Sequence, residues 1–212
     1  MEDDGRRQPE DAVPYRPTEN TRARAERRRA DILDAATVLV ATGGFGAATV
    51  RAIADTSGIA TGTVYRYFGN REELLAEIFR GLADREYRAV EHAVQAADST
   101  VAARLTALLT IFSRRALTSP PTAEALLFEP VNALVEGERL IFRRRYHELL
   151  VDVIAAGAAS GEIPAQDAAT SARAVIGANA EALMGRLSSR PDTPDELISS
   201  VTTFCLRALG AS

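Results

Sequence analysis

The sequence predicts an all-α protein of about nine helices. Three observations carry that prediction. Apolar residues recur at intervals of three and four, no run alternates with a period of two as a half-buried strand would, and Gly and Pro fall where one periodic stretch stops and the next begins.

Residues 1–20 hold Pro9, Pro14 and Pro17 among many charges and few aliphatics, the composition of a disordered tail. Helical spacing starts near Thr21. Ile32, Ala35, Ala36, Leu39 and Val40 share a face, and Gly43 with Gly44 closes it, because glycine accepts the left-handed cap. A short helix follows over 49–56, then a break at Ser57 and Gly58, then a second short helix over about 60–68. Asn70 is placed to cap a long helix running toward Ala97, with Glu72 and Glu73 in its positive first turn. Ser99 or Thr100 opens the next, which bears Leu105, Leu108, Leu109 and Phe112. Pro120 and Pro121 restart the chain in a short helix ending at Phe128, before Pro130. A long arginine-bearing helix covers about 135–159 and stops at Gly161. Two last helices, about 167–187 and 193–209, are separated by Pro191 and Pro194.

Composition excludes several classes of protein. Apolar residues make up 46% and charged residues 25%, an ordinary globular balance. No stretch approaches the ~18–20 uncharged apolar residues of a bilayer span. The acidic start, Met1 to Asp4, has no apolar signal segment, so the expectation is a cytoplasmic protein without a membrane partner. Cys205 is the single cysteine and reads as a small hydrophobe; His92 and His147 are the only histidines, and His147 reads as an ordinary partly buried one. Without a nucleophile–base pair, a metal-ligand cluster or a phosphate loop, no enzyme, cofactor or metal is expected.

The net charge of −4 hides a partition. Residues 1–15 carry a net −3, residues 16–71 carry nine Arg against five acids for +4, and residues 72–212 carry −5. A basic module before a larger acidic body suggests a polyanion-binding end. Arg22, Arg24, Arg27, Arg28 and Arg29 crowd the front of that module, either as a contact to the polyanion or as a solvated helix face.

The two short helices have a specific geometry. Helices that cross steeply need a small residue where they touch, a turn residue tolerant of positive φ and a branched anchor on the second helix. Ala54, Gly58 and Val64 supply these in order, and Ile53, Ile59 and Phe68 complete a small core. That spacing is a helix-turn-helix, whose second helix enters the major groove. Thr61, Gly62, Thr63, Tyr65, Arg66 and Tyr67 are left for the outer surface, where hydroxyls meet phosphates, Tyr rings cover sugars and thymine methyls, and Gly62 permits close approach.

From Phe45 to about Phe79, including the run Thr49–Val–Arg–Ala–Ile–Ala–Asp–Thr–Ser–Gly–Ile–Ala–Thr–Gly–Thr–Val–Tyr–Arg–Tyr–Phe68, the chain resembles the DNA-binding signature of TetR-family regulators. Over 98–212 the resemblance is only architectural. It implies an N-terminal three-helix helix-turn-helix domain over 21–69 and a C-terminal helical ligand-binding and dimerisation domain over 70–212. By similarity Arg51 reaches a guanine, Thr61, Gly62 and Tyr65 face bases, and Thr49, Thr63, Tyr67 and Arg71 hold the DNA backbone. Ala60 departs from the Ser usual at the N-cap of the recognition helix, leaving Thr61 as the nearest hydroxyl to take over that role. Tyr67 stands where His is frequent, and Arg71 where Lys is usual, which keeps the charge and adds bidentate phosphate geometry.

One such module reads too few base pairs to select a site, so the resemblance implies a homodimer on a palindromic double-stranded operator. Leu197, Ile198, Val201, Phe204, Cys205 and Leu209 form an apolar stripe on the last helix, and Gly177, Ala178, Ala182 and Gly185 permit close approach on its neighbour; these are the candidate dimer interface. The resemblance further implies a repressor released by a small-molecule effector bound among the middle helices. Phe112, Phe128, Phe142 and Tyr146 are the candidate walls of that site, with Glu129, Arg143, Asn179 and Glu181 as polar handles. Two alternatives stay open from the residues: a nonspecific architectural DNA binder acting through 22–29, with steep salt dependence and little sequence preference, or a helical adaptor without an effector.

Overall fold

A computed structural model describes residues 19–189 and 193–211. Over them the chain forms α1 (Glu19–Ala47), α2 (Val50–Ser57), α3 (Thr61–Tyr67), α4 (Arg71–Ala96), α5 (Val101–Thr118), α6 (Pro120–Leu127), α7 (Ala133–Ser160), α8 (Ala168–Leu183), the four-residue α9 (Arg186–Ser189) and α10 (Pro194–Leu209), with no strand among the described residues.

Local chemistry explains most of the boundaries. Asn70, Thr100, Asn132 and Asp167 each accept backbone N–H bonds at the starts of α4, α5, α7 and α8, satisfying donors that have no partner within the helix. α1 breaks at Gly44 (φ 67, ψ −169), and a last turn continues to Ala47. Glu19 and Asn20 already belong to α1; the rest of the tail expected over 1–20, and Pro191, lie outside the described residues.

Two expectations are corrected. The single helix read over 167–187 is broken, because Gly185 takes φ 73 and turns the chain between α8 and α9. α1 is long and apolar enough to cross a membrane by length and composition, contrary to the expectation of no such stretch. Its apolar face instead serves the protein's interior: Ile32, Ala36, Val40 and Phe45 are buried against α2, α4 and α6.

The core runs in two main regions. The first joins α1–α3, the front half of α4, α6 and the start of α7 through Phe45, Ile53, Val64, Leu75, Phe79 and Phe142. The second joins the rest of α4 with α5, α7, α8 and α10 through Val90, Leu109, Leu150, Ile154, Val175 and Cys205. Burial of each large side chain contributes roughly 1.5–3 kcal/mol. α4 (Arg71–Ala96) therefore belongs to both regions.

Candidate nucleic-acid interface and effector cavity

The crossing of α2 and α3 follows from a few side chains. Thr49 Oγ1 accepts the Ala52 N–H at 3.1 Å and starts α2. Gly58 (φ 65, ψ 36) ends it in the left-handed region that a side chain disfavours, and the Ile59 N–H bonds back to the Ala54 carbonyl at 3.0 Å. Ile53, Ala54, Val64 and Phe68 are buried together, with Ile59 packed alongside. The hydrophobic side of α3 is thus spent on the protein, and its other side faces out.

On that outer side Thr61, Gly62 and Tyr65 are exposed, Thr63 and Tyr67 half-buried. A Cβ added at Gly62 would meet nothing within 4 Å, so the surface there is open. Tyr67 packs partly on the core, with the Arg66 guanidinium 5.4 Å from its ring centre. Arg51 extends from α2 with 90% of its side chain exposed, 3.9 Å from Asp55, and Arg71 is exposed at the first turn of α4. Thr61 does not cap α3: Ala60 holds the N-cap position with no side-chain hydrogen bond, because the Thr61 backbone is already helical. Its hydroxyl is therefore not engaged by a cap.

The arginine cluster divides by role. Arg29 pairs with Glu77 and lies 4.9 Å from the Phe68 ring centre, fastening α1 to α4 and to the end of α3. Arg24 and Arg28, with Arg66 and Thr63, line a groove between α1 and α3 that opens beside the outward face of α3. From the sequence Arg24 and Arg28 stood only as part of the arginine cluster, contact or solvated face, and Arg66 only as part of the outer surface of the second short helix. The signal was present in the four-residue spacing of 24 and 28, which places both on one helix face.

In the body, α4, α5, α6, α7 and α8 line a partly open cavity of about 120 Å³. Its walls are mostly apolar. Phe112, Phe142, Tyr146, Arg143 and Asn179 line it, with Glu86, Arg115, Ser119, Thr122 and Arg139, which sequence reasoning missed because helical periodicity alone gives no rotation relative to a distant helix. Glu86 and Arg115 form an ion pair, the Arg115 Nη2 lying 2.9 Å from Glu86 Oε1, and that hydrogen bond holds the guanidinium pKa above its ordinary value. Burial pushes the Tyr146 phenol up, helped by the nearby Glu86 carboxylate, so it stays protonated. His147 lies outside the lining, with Nε2 3.0 Å from the Ala169 carbonyl.

One expected wall residue and two expected handles do not reach the cavity. Phe128 caps the end of α6 and packs with Leu183 and Leu187 instead. Glu181 is exposed on α8 and is not in the lining. Glu129 turns toward the reading head, where its carboxylate accepts the Phe45 and Gly46 N–H groups at 2.9 and 3.0 Å. Arg139, in the cavity wall, donates to the Glu129 carbonyl at 2.7 Å and to the Leu126 and Ala125 carbonyls, and lies 5.5 Å from the Phe79 ring centre. One residue of the wall thus holds the segment that holds α1.

The expected dimer residues also separate. Phe204 is 61% exposed, Gly177 exposed and Leu197 half-buried, whereas Val201 and Cys205 are buried within the protomer. The reason is the helix rotation: positions 198, 201, 202, 205 and 209 face the core, and 204 points the other way. Gly185 sits in the turn after α8 rather than on its face.

A reading head of crossed short helices joined to a cavity-bearing helical body defines the helix-turn-helix regulators with an effector domain. The family described as bacterial regulatory proteins, tetR family, matches over residues 32–78. The HTH-type transcriptional repressor KstR2 of Rhodococcus jostii is 36% identical over 141 residues, 63% of this chain and 67% of the relative. The repressor KstR of Mycobacterium tuberculosis is 28% identical over 175 residues, 79% of this chain and 74% of its own. Among solved structures, FadR from Bacillus subtilis in complex with stearoyl-CoA superposes with a TM-score of 0.72 at 22% identity, over 84% of this chain and 97% of that one. RolR in complex with resorcinol superposes at 0.66 with 19% identity, over 90% and 91%. The chain belongs to the TetR family and is a DNA-binding transcriptional regulator.

Proposed function

We propose that the protein is a ligand-responsive repressor that leaves its operator when a small molecule fills the cavity between α4 and α8. The observation that carries this reading is the outer face of α3: Thr61, Gly62 and Tyr65 are exposed beside a helix anchored by Val64 and Phe68, as a base-reading surface requires. The groove with Arg24, Arg28 and Arg66 supports the phosphate-contacting part of that surface. The similar repressors KstR2 and KstR support repression as the mode of action. FadR with stearoyl-CoA and RolR with resorcinol support a small-molecule effector in a body of this fold.

In this reading residues 21–69 read DNA, residues 70–212 bind the effector and dimerise, and α4 links them. Two copies pair through α8 and α10, with Phe204, Leu197 and Gly177 in the contact, and place their α3 helices in major-groove segments ~34–36 Å apart on a palindrome. The ligand must bind the non-DNA arrangement better, and a coupling of ~1–3 kcal/mol changes DNA affinity several- to a hundredfold.

The test is selection of binding sites from random duplexes with the full chain. A twofold-symmetric consensus bound ~10³–10⁷ more tightly than random DNA is expected. Sequence-indifferent binding with a steep salt slope would overturn the reading in favour of an architectural binder. No DNA binding would overturn it in favour of an adaptor.

A further inference from the structure

The polar groups of the cavity divide into those already answered by the protein and those left over. Arg115 gives Nε and Nη2 to Glu86. Arg139 gives its nitrogens to three backbone carbonyls and to Glu136. Arg143 is exposed to solvent. The charges of Glu86, Arg115 and Arg139 are thus paired in place, and a charged group inserted beside them would have to compete with the Glu86–Arg115 pair, whose side chains are 29% and 39% exposed.

Two donors are not answered. Asn179 is only 4% exposed; its Oδ1 accepts from Ser113 Oγ at 2.9 Å, and its Nδ2 has no hydrogen-bond partner among the described residues. Tyr146 is clasped edge-on by Tyr87 and Phe112, at 5.1 and 5.5 Å between ring centres, and its hydroxyl likewise has no hydrogen-bond partner among them. Burial keeps that hydroxyl protonated, hence a donor. Both residues line the same cavity. Neither donor is among the fully buried unpartnered atoms of the described residues, so each stays open to the cavity, where an acceptor on the ligand gains a hydrogen bond worth ~0.5–1.5 kcal/mol. The volume is also restrictive: about 120 Å³ here, where an apolar cavity of ~150 Å³ holds one benzene.

We propose that the cavity takes a neutral, ring-sized apolar compound carrying a hydrogen-bond acceptor such as a carbonyl, which the Asn179 amide and the Tyr146 hydroxyl recognise. The inference rests on the cavity being the effector site but adds what chemistry it selects. The apolar wall holds the body of the ligand, and the two donors distinguish it from a plain hydrocarbon of the same shape. Sites built around a hydrogen bond reject analogues that lack it far more strongly than apolar pockets reject a change of size.

The test is calorimetric titration of the full chain with three probes of one size: acetophenone, ethylbenzene and benzoate. Acetophenone is expected to bind at least tenfold more tightly than either of the others. In Asn179→Leu and Tyr146→Phe that preference should fall several-fold, the second variant keeping the aromatic packing so that loss of fold does not intervene. Equal binding of ethylbenzene, tighter binding of benzoate, or no binding of acetophenone would overturn the proposal. A gel shift on the selected operator separates the two claims. Acetophenone bound with the expected preference but without DNA release upholds the ligand chemistry and overturns the release mechanism proposed above.

Discussion

Glu129 and Gly46 are 83 residues apart, yet the Glu129 carboxylate accepts the Gly46 backbone N–H at 3.0 Å while its second oxygen accepts that of Phe45 at 2.9 Å. The loop after α6 is thereby pinned to the broken end of α1. The fit is close on both sides, since a Cβ at Gly44 (φ 67) would lie 2.5 Å from Glu129 Oε2. Replacing Glu129 with Ala should cost ~1.5–3 kcal/mol, as for hydrogen bonds to a charged group. In a chain this long each kcal/mol lowers Tm by roughly 2–4 °C. Gly44→Ala should also destabilise, and by less in the Glu129→Ala background, where the steric part disappears and the backbone strain remains. Additive losses in thermal denaturation would show that the two residues are not coupled.

Arg51 touches little in the protein, its side chain 90% exposed and 3.9 Å from Asp55. Arg51→Ala should therefore leave Tm unchanged while costing ~1–3 kcal/mol of operator binding and relaxing one base pair per half-site. A gel-shift titration over single-base operator variants measures this; unchanged preference would remove Arg51 from the base contacts.

Arg24 and Arg28 line the groove beside α3, whereas Arg29 pairs with Glu77. Arg24→Ala and Arg28→Ala should weaken all duplexes alike and reduce the salt slope by ~0.9 for each phosphate that the variant no longer neutralises. Arg29→Ala should instead lower Tm, since it removes the bridge to α4 and the stacking on Phe68. Salt titrations beside melting curves separate the two behaviours.

Ala60 has the extended backbone of an N-cap (φ −74, ψ 143) but no side-chain hydrogen bond. Ala60→Ser should supply one and stabilise the protein by ~0.5–2 kcal/mol. A Tm at or below that of the parent would show that the first turn of α3 has no need of a cap.

Phe204 and Cys205 are adjacent but face opposite ways, Phe204 outward and Cys205 buried at 1% exposure. Phe204→Glu is expected to shift the sedimentation of the protein toward monomer and to weaken operator binding without altering its helical content. Cys205, whose thiol pKa is raised by burial, should resist a thiol reagent until the chain is unfolded. Fast labelling of the native protein would place it at the surface.

Much of the reading head was legible because its determinants are local. Thr49, Gly58 and Asn70 cap or turn the chain through bonds to residues at most four positions away, and Ile53, Ala54 and Val64 sit at the spacing that a helix-turn-helix crossing needs and are buried together. The cavity was legible in part. Phe112, Phe142, Tyr146, Arg143 and Asn179 reach it, while Phe128, Glu129 and Glu181 do not. Nothing in the periodicity of α6 says that the loop behind it turns Glu129 to α1. Nor does the stripe on α10 say which of Phe204 and Cys205 the core absorbs, because both are apolar and adjacent.

By itself, then, the order of residues determined where most helices start and stop, though not the break at Gly185, along with the turn between α2 and α3 and the outward chemistry of α3, all set by steric and hydrogen-bonding constraints within a few positions. Only the tertiary structure decided which guanidinium groups are spent on internal pairs, which carboxylate couples the body to the head, and which donors face the cavity. Each of those depends on the rotation of one helix against another distant in the chain, and successive residues on a helix differ by about 100° in direction, so a single step changes what a side chain meets.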